Sequence, residues 1–79
     1  TMDKNEKMKI FSEDVLMTGD IVLDEDILLE SLIEWDSMAV LCLIAMLEEK
    51  FSRVDIGGEE IAGLTKVSNV LDLMENVNE

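Results

Sequence analysis

The stretch Ile33-Glu34-Trp35-Asp36-Ser37-Met38 leads straight into the strongest helix signal of the chain, and its reading decides the fold. From Met38 to Leu47 every residue is apolar, ten in a row, before Glu48, Glu49, Lys50 and Phe51 close the segment. Aspartate and serine favour helix starts because their side-chain oxygens accept hydrogen bonds from the first free backbone N–H groups. The pattern therefore predicts a helix from about Ser37 to Phe51, with the Ser37 hydroxyl exposed at the positive end of the helix dipole. A negatively charged group attached there is favoured by the dipole and the unpaired amides together.

Upstream, Ile21 to Asp36 reads as a long connection punctuated by Asp24-Glu25-Asp26. These carboxylates lack the spacing of a calcium loop and are expected to be solvated. Leu28, Leu29, Leu32 and Ile33 repeat at i, i+1, i+4 and i+5, which predicts a short helical turn lying over the open end of a bundle. Earlier still, Met8, Phe11 and Val15 share one face of a 3.6-residue period, so a first helix is expected over Met2 to Met17. Thr18-Gly19-Asp20 then supplies a turn, with Gly19 able to take the left-handed conformation.

Downstream, Gly57-Gly58 breaks the chain, and Glu59 to Gly63 has room for only a turn or so of helix. Thr65 is the expected N-cap of a last helix, whose stripe is Val67, Val70, Leu71, Met74 and Val77. The whole reads as all-α: a small four-helix bundle, three main helices plus one short one, with a long loop between helices 1 and 2. A single domain is expected over residues 2–79, since 79 residues are too few for two.

Composition narrows the chemistry. Nineteen acidic residues against six basic ones give a formal charge of −13, which repels nucleic acid and anionic membranes and favours partners with basic surfaces. Zero histidines remove the commonest general base and metal ligand, and the one cysteine, Cys42, excludes an internal disulfide framework. Cys42 is expected to be a small buried or half-buried hydrophobe. The ten-residue apolar run is half of what a bilayer span needs, roughly 20 residues, and no signal-peptide pattern is visible. A cytoplasmic, non-enzymatic monomer without a metal is the expectation.

Asp36-Ser37-Met38 is similar to the Asp-Ser-Leu motif of acyl and peptidyl carrier proteins. Leu29 and Ile33 precede the serine at the spacing where those carriers place loop residues that plug the bundle. Leu41, Ile44, Leu47 and Phe51 follow at helical spacing, with Glu48 and Glu49 just before the Phe. Ile56, Leu64, Thr65 and Val67 resemble the carriers' loop, short third helix and opening of the fourth. The resemblance runs from about Met8 to Val77.

The resemblance implies that Ser37 carries a covalent 4′-phosphopantetheine arm, placed there by a separate phosphopantetheinyl transferase. Acyl or aminoacyl groups would ride on it as thioesters between loading and acyl-transfer enzymes with basic docking surfaces. Asp36 and Met38 then flank the attachment point, and Asp36 guides the transferase reaction or its metal. Trp35, Met38, Ala45, Met46, Glu48 and Glu49 are the expected partner contacts, with Trp35 equally able to pack down on the loop. Leu41, Ile44, Leu47 and Phe51 are assigned to the core.

Several residues depart from the family pattern. Glu34 stands where many carriers have Gly, Met38 replaces the usual Leu, and Gly57-Gly58 stands where many have a proline. Cys42 occupies a helix-two position where fatty-acid-type carriers tend to place an acidic contact residue. Asp-Ser-Met is similar to D-alanyl carriers and to carriers of specialised pathways, which favours a dedicated standalone carrier over a housekeeping fatty-acid one. The rivals are an aminoacyl, D-alanyl or peptidyl carrier, and an unmodified helical interaction module in which Ser37 only caps its helix. A hydrolase would require Ser37 to be activated, and the chain has no His, no Gly-x-Ser-x-Gly and no Ser-x-x-Lys.

Overall fold

The computed structural model describes residues 3–19 and 23–75. Helix α1 spans Lys4–Ile10, and the Asp3 carboxylate caps it by accepting from the Glu6 N–H at 2.9 Å. The first helix then widens rather than continuing to Met17. Phe11–Val15 is a π-helical turn, closed by the Leu16 N–H donating to the Phe11 carbonyl at 3.0 Å. That i→i+5 bond brings Leu16 round beside Phe11, so Phe11, Val15 and Leu16 are all buried. The left-handed residue that ends the segment is Met17, with φ 58°, and not Gly19. Met2 and Asp20 lie outside the described residues.

Leu29–Ser31 forms the expected short turn in the long loop, as one turn of 3-10 helix. Of its leucines and isoleucine, Leu29 is buried and Leu32 half-buried, whereas Ile33 is 93% exposed. Ile33 therefore plugs nothing: the tight turns that bring Trp35 and Asp36 into place point it outward. The loop has a second task. Its Ile27 and Glu25 carbonyls accept from the N–H groups of Val67 and Ser68 at 3.0 and 2.9 Å, and so serve the open N-terminus of the last helix.

Helix α2 runs over Ser37–Phe51 and packs chiefly on the π-helical turn. Its buried face is Ala39, Leu43, Met46, Leu47 and Phe51. Leu47 and Phe51 fall in the core as the spacing predicts, but Leu41 is 60% exposed and Ile44 only half-buried. Met46, expected at the partner surface, is buried in the core instead. The helix is apolar almost all round, so periodicity alone did not say which stripe turns inward; Phe11 and Val15 decide it by packing there. Ser52 ends the helix in the left-handed conformation, with φ 56°.

Helix α3 is Gly58–Ala62, and the Glu60 carboxylate accepts from the Gly57 N–H at 2.8 Å to hold its start. Helix α4 is Val67–Leu73, with Val67, Val70 and Leu71 buried, and Met74 buried just past its end. Its N-cap is Lys66 and not Thr65. The Asn69 side-chain oxygen accepts from the N–H groups of Thr65 and Lys66 and from the Thr65 hydroxyl, so Thr65 braces the start from one residue further out. Val77 lies outside the described residues. Arg53 ties the α2–α3 loop down, forking onto the Asp55 carboxylate and donating to the Leu73 carbonyl at 3.2 Å. The result is a small all-α fold around one apolar core, in which no polar side chain of the described residues is buried.

Candidate functional site

The start of α2 gathers the residues of interest. Asp36 is extended, with φ −124° and ψ −172°, and its Oδ1 accepts from the Ala39 N–H at 2.9 Å. Its carbonyl takes the Val40 N–H at 3.1 Å. The N-cap position thus belongs to Asp36 alone, and Ser37 is the first helical residue, exposed to solvent. Among the described residues nothing hydrogen-bonds the Ser37 hydroxyl, and the N–H groups of Ser37 and Met38 likewise meet no protein acceptor. A free hydroxyl and two free amides therefore stand at the positive end of a 15-residue helix.

Trp35 fastens the approach to this point. It is half-buried, and its ring lies 5.9 Å from that of Phe11 at an interplanar angle of 52°, a tilted aromatic pair that holds the loop to the π-helical turn. Its remaining edge lines a shallow groove with Leu29 and Leu64. Beyond Ser37 the surface turns apolar, with Met38 64% and Leu41 60% exposed and Ala45 also at the surface. Glu48 and Glu49 are exposed at the far end of α2, about 17 Å from Ser37 at 1.5 Å rise per residue. Cys42 is half-buried between these ends.

The structure thus brings Asp36, Ser37 and Met38 into one turn, sets Ala45, Glu48 and Glu49 along the same exposed helix, and withdraws Met46 into the core. Leu41, expected in the core, belongs to this surface, and Ile33, expected to plug the bundle, is exposed in the preceding loop. Their exposure has no signature in the sequence: Leu41 sits in a long apolar run, and Ile33 follows Leu32 in a spacing that reads equally well as core. An open groove of about 250 Å³ lies beside the site, between Met17 and Leu16 on one side and Asp36, Met38 and Cys42 on the other.

A phosphodiester-linked group on Ser37 would fit the geometry of these residues. The hydroxyl is unencumbered, the amides beside it are unpaired, and solvent reaches both. Asp36 and Glu34 oppose an anion by charge, but Asp36 spends one oxygen on the Ala39 amide. Comparisons with protein-family models, curated proteins and solved structures gave no match for this chain.

Proposed function

We propose that this chain is a carrier protein in which the Ser37 hydroxyl anchors a 4′-phosphopantetheine arm. The observation that carries the reading is the division of labour at the start of α2. Asp36 does the capping, and Ser37, which a purely structural role would use as the cap, keeps an exposed and unbonded hydroxyl. When attached, the arm would supply a terminal thiol that holds acyl or aminoacyl groups as thioesters. Every other task falls to the residues of the chain. The free amides of Ser37 and Met38 would stabilise the anionic linkage, and the Asp36 cap fixes the first turn on which the hydroxyl stands. Trp35 holds the preceding loop against Phe11 so that the turn keeps its aim.

No helix of the described residues is long and apolar enough to cross a membrane. Presentation to partners then falls to the acidic body with its apolar strip at Met38, Leu41 and Ala45. With a charge of −13, it would dock transiently and in a salt-sensitive way on enzymes with basic surfaces, including the transferase that loads Ser37. The resemblance favours a cytoplasmic carrier dedicated to one pathway. Incubating the protein with coenzyme A and a broad-specificity phosphopantetheinyl transferase tests this by intact mass. The wild type gains one arm, whereas a Ser37→Ala variant gains none. A wild type that keeps its mass refutes the reading in favour of an unmodified interaction module.

A further inference from the structure

We infer that the trough between the π-helical turn and α2 is the seat of a basic amphipathic helix supplied by another protein. Two open grooves, of about 250 and 380 Å³, share Met17 and Cys42 and so run together along one flank of α2 from Asp36 to Lys50. That length is about 21 Å, which a straight partner helix of about 14 residues would span at 1.5 Å per residue. The floor is apolar: buried Val15, Leu16 and Met46 lie beneath it. Cys42 and Ala45 are the small residues on the α2 side, and they leave room for a bulky side chain to enter.

The rims are predominantly acidic. Glu34 and Asp36 stand at one end, Glu13 and Asp14 along the side, and Glu49 at the other end. The cation that lines it, Lys50, is already held by Asp14 at 3.0 Å. An apolar floor between acidic rims selects a helix with an apolar stripe flanked by Lys or Arg. A second copy of a chain with a charge of −13 would be repelled at the same rims, as would an anionic membrane.

This inference concerns the unmodified chain, so it survives or fails separately from the role proposed for Ser37. The probe is a 15-residue leucine-lysine peptide whose leucines recur at helical spacing, with a scrambled peptide of the same composition as control. The designed peptide should bind the full chain about tenfold more tightly than its scrambled isomer. Backbone amide shifts should concentrate at Glu13 to Met17 and Asp36 to Lys50. Ala45→Gln, which fills the trough from its α2 side without changing charge, should weaken binding about tenfold, while Ala62→Gln on α3 leaves it within about twofold. Should Ala45→Gln fail to fold, the pair Glu13→Gln and Glu49→Gln carries the test, and should weaken binding more than the off-groove pair Glu6→Gln and Glu59→Gln. Equal binding of the scrambled peptide, shifts spread over the whole acidic surface, or equal losses from the on-groove and off-groove variants would overturn the inference. A wild-type homodimer that Ala45→Gln dissolves would overturn it too, by giving the trough to a second copy.

Discussion

Asp36 holds two positions at once, as N-cap of α2 and as neighbour of Ser37, and substitution separates them. Its Oδ1 accepts from the Ala39 N–H at 2.9 Å, and Ala39 is itself buried, so removing the acceptor strands a donor at the edge of the core. Asp36→Ala should cost about 1 kcal/mol, the usual worth of such a cap. In a domain of this size that lowers the melting temperature by about 4 to 8 °C. Asp36→Asn keeps an acceptor oxygen at the same place and should melt within about 2 °C of wild type, since Asn and Asp cap about equally well. Ser37→Ala should also leave the melting temperature nearly unchanged, because its hydroxyl makes no bond that the fold uses. Circular dichroism melts of the three variants at one pH and salt concentration make the comparison. If Asp36→Asn falls as far as Asp36→Ala, the carboxylate acts through charge and not as an acceptor, and the division of labour argued here is wrong. If Ser37→Ala melts as low as Asp36→Ala, Ser37 is structural, and the case for an unencumbered hydroxyl is lost.

Other perturbations test other parts of the fold. Ser52 sits at φ 56°, where a side chain costs about 1 kcal/mol that glycine does not, so Ser52→Gly should raise the urea midpoint with an unchanged m-value; a fall would refute the strain. Leu43 is wholly buried in α2, and Leu43→Ala should cost about 2 to 5 kcal/mol, enough to leave much of so small a domain unfolded at room temperature by circular dichroism. The Arg53 guanidinium holds the Asp55 carboxyl below its usual pKa, so this pair stabilises the fold fully above the unfolded value near about 4 and loses that contribution as pH falls through the folded one. The gap in melting temperature between wild type and Asp55→Asn should accordingly hold steady from neutral pH to about 5 and close below about 4; a gap that widens in acid contradicts the pairing. Because like charges crowd a body of −13, raising salt from about 0.01 M to about 1 M should raise the melting temperature, and a value indifferent to salt contradicts that.

How much of this was legible in the sequence depended on whether a local signal had a competitor. The limits of α2 at Ser37 and Phe51 were readable because Asp36-Ser37 starts a helix and the apolar run leaves no other periodicity to weigh. Which way that helix faces was not readable. With apolar residues at nearly every angle, Leu41 and Met46 are interchangeable in pattern, and packing against Phe11 and Val15 buried Met46 and left Leu41 in water. The π-helical turn was hidden for a related reason: Met8, Phe11 and Val15 suit an α-helix, and only the burial of Leu16 as well calls for the wider turn. Lys66 is the N-cap of α4 because its carbonyl accepts from the Asn69 N–H while the Asn69 side chain accepts from its own N–H, a pairing that a lysine does not advertise in sequence. At the candidate site Asp36, Ser37 and Met38 were legible as a motif at a helix start. The free state of the Ser37 hydroxyl was not, because it depends on Asp36 taking the Ala39 amide.

If Ser37 is the anchor proposed for the arm, the modification must sit on that one side chain. Fragmentation mass spectrometry of the transferase-treated protein should place one phosphopantetheine on the peptide containing Ser37, with Ser12, Ser31, Ser52 and Ser68 bare. An arm found on any other serine, or on none after exhaustive treatment of folded protein, would contradict the account.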